Sequence, residues 1–151
     1  MPLNPEISRF IREHLDDNPD QLLWKKNEYP DDRVVLAVEQ IQARENIKEK
    51  LPSWYACQNI FYPSRLSTEQ CSSETTAPYK ARLTTGNSLC DLTGGLGVDT
   101  YFFSQQVDKV TYVERDKSYC EAARFNFLAL GATNIEVIHA DATTVASQII
   151  A

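Results

Sequence analysis

Three carboxylates and a cluster of glycines carry the chemistry that can be read in this chain. Asp91, Glu114 and Asp141 each stand at or beside the end of a short apolar run. Asp91 opens the stretch Asp91-Leu92-Thr93-Gly94-Gly95-Leu96-Gly97, which holds three of the five glycines. Glycine permits positive φ and close approach of backbone to a ligand. A helix that opens from such a loop offers free N–H groups and the positive end of its dipole. Glu114 lies about twenty residues beyond the loop, the distance at which a carboxylate accepts hydrogen bonds from both ribose hydroxyls. Asp141 is placed to accept from an exocyclic adenine amine, with the Ala142 N–H facing a ring nitrogen. Asp91 either orients the loop or holds a cationic part of the ligand. The competing reading is that each acid caps the helix after it.

The ligand these residues suit is an adenosine without phosphate. A dinucleotide loop reads G-x-G-x-x-G, and the run from Gly95 has Thr100 in place of the third glycine. Asp99 sets a negative charge where a pyrophosphate would approach the helix. S-adenosyl-L-methionine, with a sulfonium, an ammonium and no phosphate, fits an acidic rim. An NAD(P)-dependent oxidoreductase fragment is the enzymatic alternative, and a non-catalytic remnant serving protein interaction is the other.

The elements that must position these groups alternate. Ser88–Leu92, Lys109–Val113 and Asn134–His139 read as strands. Val98–Gln106, with Phe102 and Phe103 turned inward, and Lys117–Leu130 read as helices, and Gly131 stops the second. A further helix or loop begins at Thr143. The order β-α-β-α-β implies a parallel sheet whose strand ends, and so the three acids, share one edge.

The first half carries no strand pattern. Asn4-Pro5-Glu6 and Asn18-Pro19-Asp20 are helix starts, with Asn as cap and Pro in the first turn. Asp31 or Asp32 caps a helix over about Val34–Leu51, which Pro52 ends. Residues 53–65 read as an irregular connector whose aromatics, Trp54, Tyr55, Phe61 and Tyr62, pack into the core rather than stack on bases. Ser67-Thr68-Glu69-Gln70 fits a capping box for a helix that Pro78 kinks or splits, with Gly86 as its C-cap. Ser73, Glu74 and Lys80 lie near enough in sequence to reach a ligand, although capping and surface charge account for them. The expected architecture is α/β: a helical domain with its connector over residues 1–66, then a partial Rossmann-like domain over 67–151 that includes the preceding helix 67–85.

A net charge of −6 argues against a broad basic surface for nucleic acid. No apolar run reaches the roughly 20 residues needed to span a bilayer. The N-terminus lacks a signal-peptide pattern. The four cysteines and two histidines have no metal-ligand spacing, so no metal is expected. Cys90 and Cys120 read as buried thiols of a cytoplasmic protein.

At these motifs the chain resembles class I S-adenosylmethionine-dependent methyltransferases. The stretch 91–97 resembles their first motif, D-x-[GTC]-x-G-x-G. Val113-Glu114-Arg115-Asp116 resembles the acidic second motif, and His139-Ala140-Asp141-Ala142 the third. Ala123-Arg124-Phe125-Asn126 followed by Leu130-Gly131 looks like a helix found in many RNA-modifying members. With Glu69-Gln70-Cys71-Ser72-Ser73-Glu74 upstream, the chain looks most like bacterial proteins regarded as RNA methyltransferases that carry a THUMP-like domain downstream. The resemblance implies cofactor contacts at Asp91, Thr93, Gly94, Gly95, Gly97, Glu114, Asp141 and Ala142. It also implies RNA as a partner, through a C-terminal part beyond this chain. Catalytic residues in this class follow a fourth strand, so none can be named here. The expectation is an N-terminal part of a longer protein, its central strand left with an unpaired edge through which chains can self-associate.

Overall fold

The computed structural model describes residues 3–150. Met1, Pro2 and Ala151, at the outer ends of the two expected halves, lie outside the described residues.

Local chemistry sets the first helices. Helix α1 (Pro5–Glu13) starts where Asn4 Oδ1 accepts from the Glu6 N–H at 2.8 Å. Helix α2 (Pro19–Leu23) repeats the device, Asn18 Oδ1 accepting from Asp20 and Gln21. Both pack on α3 (Arg33–Ile47), and Phe10, Ile11, Leu15, Leu22, Val34 and Ile41 close a small core. Asp32 stands at the N-cap of α3 without a side-chain capping bond, and Asp31 Oδ1 accepts from the Arg33 N–H instead.

Several boundaries differ from the sequence expectation. Helix α3 ends at Ile47 rather than Leu51, and Pro52 opens a new helix, α4 (Pro52–Ala56), inside the stretch expected to be irregular. Proline suits a first turn because the missing N–H is one no helix bond uses. Glu74, from the chain beyond, accepts from the Ser53 N–H at 2.7 Å and stands in for the missing local cap. The next helix, α5 (Arg65–Gln70), is capped by Ser64, whose Oγ accepts from the Ser67 N–H at 3.0 Å. Ser67 and Thr68 are instead buried within the helix. The segment then breaks at 71–75, and α6 (Thr76–Arg82) carries Pro78 in its first turn. Ser73 caps it, its Oγ accepting from the Thr76 N–H at 3.1 Å. Gly86 is not its C-cap: the helix closes at Leu83, and Gly86 turns the chain at φ +93 before the first strand.

Strands β1 (Ser88–Asp91), β2 (Lys109–Glu114) and β3 (Ile135–His139) form a parallel sheet in the order β1-β2-β3. Asp91 lies beside Tyr112, and Glu114 beside His139, so the acidic strand ends share one edge. Helix α7 (Val98–Phe103) is shorter than expected and packs on β2 and α6. Phe102 and Phe103 are half-buried rather than turned fully inward. Helix α8 (Lys117–Ala129) crosses β2 and β3 and stops at Gly131, where φ is +74 and the Ala132 N–H reaches back to the Phe127 carbonyl at 2.8 Å. Helix α9 (Ala142–Ile150) follows β3.

One apolar core runs from Ala43 and Ile47 of α3 through Leu51 and Trp54 to Leu96 and Val98 beside the glycines. The connector aromatics Trp54 and Tyr62 are buried in it, as core packing requires. Two amides clamp the connector. Asn126 of α8, fully buried, accepts from the Phe61 N–H at 2.7 Å and donates to the Phe61 carbonyl at 2.8 Å. Gln40 of α3 does the same for Tyr62, at 2.9 and 2.8 Å. Cys120 is buried, while Cys90 is only half-buried on β1, a strand paired on one side among the described residues.

Candidate functional site

The three glycines between β1 and α7 meet three different demands. At Gly94, a Cβ would lie 2.2 to 2.6 Å from the Tyr112 ring, which is fully buried beneath the loop. Gly97 has φ +91, and a Cβ there would meet Phe127 at 2.7 Å. Gly95, at φ +56, has only the Thr93 carbonyl within 4 Å of a Cβ. The first and third glycines are therefore fixed by packing against β2 and α8, and the middle one faces open space. Tyr112 holds the loop from below, its hydroxyl donating to the Gly95 carbonyl at 2.6 Å.

The carboxylates hold the loop from its flanks. Asp91 Oδ1 accepts from the Thr93 N–H at 3.1 Å, and Oδ2 accepts from the Thr100 hydroxyl at 2.6 Å. Both oxygens of Asp91 are thus engaged in orienting the loop. Thr100, where a dinucleotide loop has its third glycine, is fully buried, with its hydroxyl committed to Asp91. Glu114 Oε2 accepts from the Gly95 N–H at 3.0 Å and Oε1 from the Asp116 N–H at 2.9 Å. Each oxygen keeps a lone pair for a further donor. Asp141 Oδ1 accepts from the Thr143 N–H at 2.8 Å and from its hydroxyl at 2.6 Å. That is the capping role, played at the head of α9, and it leaves Oδ2 for a ligand.

Asp99 differs from its sequence reading. Its Oδ2 meets the Lys80 ammonium at 2.9 Å and the Ser72 hydroxyl at 3.1 Å, so its charge is paired rather than offered to a phosphate. Among the described residues, its buried Oδ1 has no partner. The case against a pyrophosphate then rests on Thr100, which stands where a dinucleotide loop has its third glycine. Lys80, Ser73 and Glu74 are each engaged in the ion pair or the caps described above.

Around these groups lies a cleft of about 570 Å³ at the strand ends, lined by Leu92, Thr93, Gly95, Glu114, Asp141 and Ala142 among others. A smaller hollow of about 200 Å³ adjoins it, lined by Gly94, Gly97 and Asp99 among others, with Gln70, Thr93, Gly95 and Tyr119 common to both. The structure thus brings together seven of the eight expected residues, while Asp91 lines neither space and acts through the loop. Residues missed in the sequence also line the cleft: Gln70, Arg115, Asp116, Tyr119 and Thr143. Arg115 and Asp116 follow Glu114 directly, which was a usable signal. Gln70 reaches the cleft only through the packing of α5. A hollow of equal volume lies between α3 and the turn from α1 to α2, with Asp16, Asp17 and Glu45 among its lining residues. It has no glycine loop and no strand ends, so it lacks the groups that recognise an adenosine.

Hydrogen bonds from Ser118 hold the Asp116 carboxyl below its ordinary value of 3.8, and those from Thr143 do the same for Asp141. Since the folded-state pKa is the lower one, the ionised caps stabilise the fold fully above the unfolded value. That contribution is lost as pH falls through the folded values. Thermal melts followed by circular dichroism should show these caps contributing evenly from about pH 7 to 5 and fading below about pH 4. Asp116→Asn, which keeps a capping oxygen but does not titrate, should flatten that fall.

No model of a known protein family matches this sequence, and no curated protein matches it. Among solved structures, a "putative methyltransferase" from Porphyromonas gingivalis W83 is similar, with a TM-score of 0.83 and 30% sequence identity. The match covers 95% of this chain and 37% of that one, so the chain spans little more than a third of its structural neighbour's length. The fold is therefore α/β of the methyltransferase-like kind.

Proposed function

We propose that this chain is the cofactor-binding part of an S-adenosyl-L-methionine-dependent methyltransferase that acts on RNA. The observation that carries the cofactor reading is that Glu114, Asp141 and Ala142 line one cleft together with Thr93 and Gly95 of the glycine loop. Glu114 holds the ribose hydroxyls. Asp141 and the Ala142 N–H read the adenine edge. Gly95 lets the ligand approach the backbone, and Gly94 and Gly97 let the loop lie flat on Tyr112 and Phe127. Thr93 lines the mouth, and Asp91 fixes the loop. When bound, the cofactor supplies an electrophilic methyl group. The residues of this chain position it, and that is a main source of rate in displacement reactions.

The structural neighbour's description as a methyltransferase and the motif resemblance support the reading. RNA as substrate follows from the motif resemblance alone, and its binding surface and the catalytic groups are assigned to polypeptide beyond this chain. The work is cytoplasmic in this reading. Among the described residues, no helix is long and apolar enough to cross a membrane, and no cluster of His, Cys, Asp or Glu could hold a metal ion. The outer edge of β1, unpaired among the described residues, is the surface through which copies would self-associate.

Isothermal titration with S-adenosylhomocysteine tests the cofactor assignment. Wild type should bind saturably, and Glu114→Ala should weaken binding by about tenfold or more, the scale of a lost hydrogen bond to a charged acceptor. Asp141→Asn keeps the cap but presents an amide to the adenine amine, and it should bind more weakly than wild type with an unchanged melting temperature. Equal affinity in all three proteins would remove the basis of the assignment.

A further inference from the structure

Two features of the helical half stand outside the cofactor reading and complement each other. The first is a knob. Trp24, at the C-cap of α2, is 81% exposed, more than any other large hydrophobic side chain among the described residues. Leu23 before it is exposed too, as are Lys25 and Lys26 after it. Neither lysine ammonium has an ion-pair or hydrogen-bond partner among the described residues. Tryptophan is the side chain most often found to anchor a protein interface.

The second is the hollow of about 570 Å³ beside α3. Leu15, Ile41 and Tyr55 give it apolar lining, and Asp16, Asp17 and Glu45 give it acidic lining. Asp16 is paired with Arg44 and Asp17 with His14, but the Glu45 carboxylate has no partner among the described residues. Arg65, a cation in the same lining, is paired with Glu69 at 3.2 Å. Clefts of about 300–1,000 Å³ enclose ligands larger than an indole, so the space admits a tryptophan side chain.

Knob and hollow adjoin. Pro19, the first residue of α2, lines the hollow, and Trp24 lies only about 8 Å further along that helix. Asp16 and Asp17 also line a second hollow, of about 350 Å³, that reaches Lys25. Trp24 is too exposed to fill the hollow of its own chain. An apolar, cationic knob beside an apolar, acidic hollow makes a self-complementary surface. A two-fold axis sets the knob of each copy in the hollow of the other, so that one favourable contact is made twice.

We propose that this face is a homodimer interface: Trp24 of each copy enters the hollow of the second copy, and Lys25 and Lys26 meet its acidic lining. The contact is separate from the β1 edge and independent of the cofactor assignment.

Sedimentation equilibrium up to millimolar protein tests it. One tryptophan and two lysines a side make a small interface, so the dimer should form with a dissociation constant on the order of 100 μM. Trp24→Ala should weaken it tenfold or more, as loss of a tryptophan anchor does. Glu45→Lys, which sets a cation against the knob lysines, should also weaken it. Both sites are exposed, so melting temperatures should match wild type. An equimolar mixture of the two variants should associate better than either alone, because the mixed pair keeps one intact knob and one intact hollow. Trp54, the other tryptophan, is fully buried, so acrylamide quenching reports Trp24 and should fall as the dimer forms. A wild type that stays monomeric to millimolar concentration would overturn the proposal. So would association that neither variant weakens, which would belong to another surface such as the β1 edge. A mixture no better than its components, or association that runs on past two copies, would overturn the closed two-fold contact.

Discussion

Gly97→Ala should be the most destabilising single substitution in the glycine loop, lowering the melting temperature markedly. The backbone there is left-handed, at φ +91, which costs an alanine roughly 1–2 kcal/mol. The new methyl would also stand 2.7 Å from Phe127, a buried ring that cannot swing away without disturbing Tyr112 and α8. Overpacking of this kind typically adds about 1–3 kcal/mol. The combined loss of about 2–5 kcal/mol corresponds to a fall in melting temperature of roughly 10 °C for a chain of this size. Gly94→Ala should come close behind, from the Tyr112 clash alone. Gly95→Ala should cost only about 1 kcal/mol, since its φ is positive but its surroundings are open. Its loss should show in ligand affinity instead. Chemical denaturation of the three variants gives the ranking, and a Gly95→Ala as unstable as Gly97→Ala would contradict this account of the loop.

Asn126→Ala should cost about 2–4 kcal/mol, because it strips partners from both the N–H and the carbonyl of Phe61. Asn126→Asp should not rescue it. The carboxylate can still accept from the N–H, but it faces the Phe61 carbonyl with no donor. Gln40→Ala removes the equivalent pair on Tyr62. Phe61 and Tyr62 are adjacent, so once one amide is lost the segment is already loosened, and the double variant should lose less than the sum of the singles. Urea denaturation with tryptophan fluorescence reads this, since Trp54 shares the core with Tyr62. An Asn126→Ala protein as stable as wild type would mean that water replaces the amide.

These two predictions separate what the sequence displayed from what it concealed. The glycine loop, the acidic strand ends and the β-α-β-α-β order were legible because each rests on local chemistry: glycine conformations, strand period and carboxylate position. The starts of α1 and α2 were legible for the same reason, since Asn-Pro caps a helix wherever it occurs. The clamps by Gln40 and Asn126 were not, because an amide within a helical pattern reads as surface until the partner 22 or 65 residues away is known. Helix α5 starts three residues earlier than the capping box at Ser67 predicts. Ser64 and Ser67 can each cap, and the choice is made by α3, against which Thr68 is buried and where Asn46 donates to its hydroxyl at 3.2 Å. The five-residue α4 is too short for a periodic signal, and its cap comes from Glu74. In sequence Asp99 presents a free charge, because Lys80, nineteen residues earlier, carries no sign that it will arrive there.

The most direct test of the central claim is a heteronuclear NMR titration of the ¹⁵N-labelled chain with S-adenosylhomocysteine, followed at the backbone amides. The account predicts saturable shifts confined to the strand-end cleft, at Gly95, Glu114–Asp116 and Asp141–Thr143, with the amides of α1 and α2 unmoved. Shifts absent at that cleft, or produced there by NAD and not by S-adenosylhomocysteine, would contradict it.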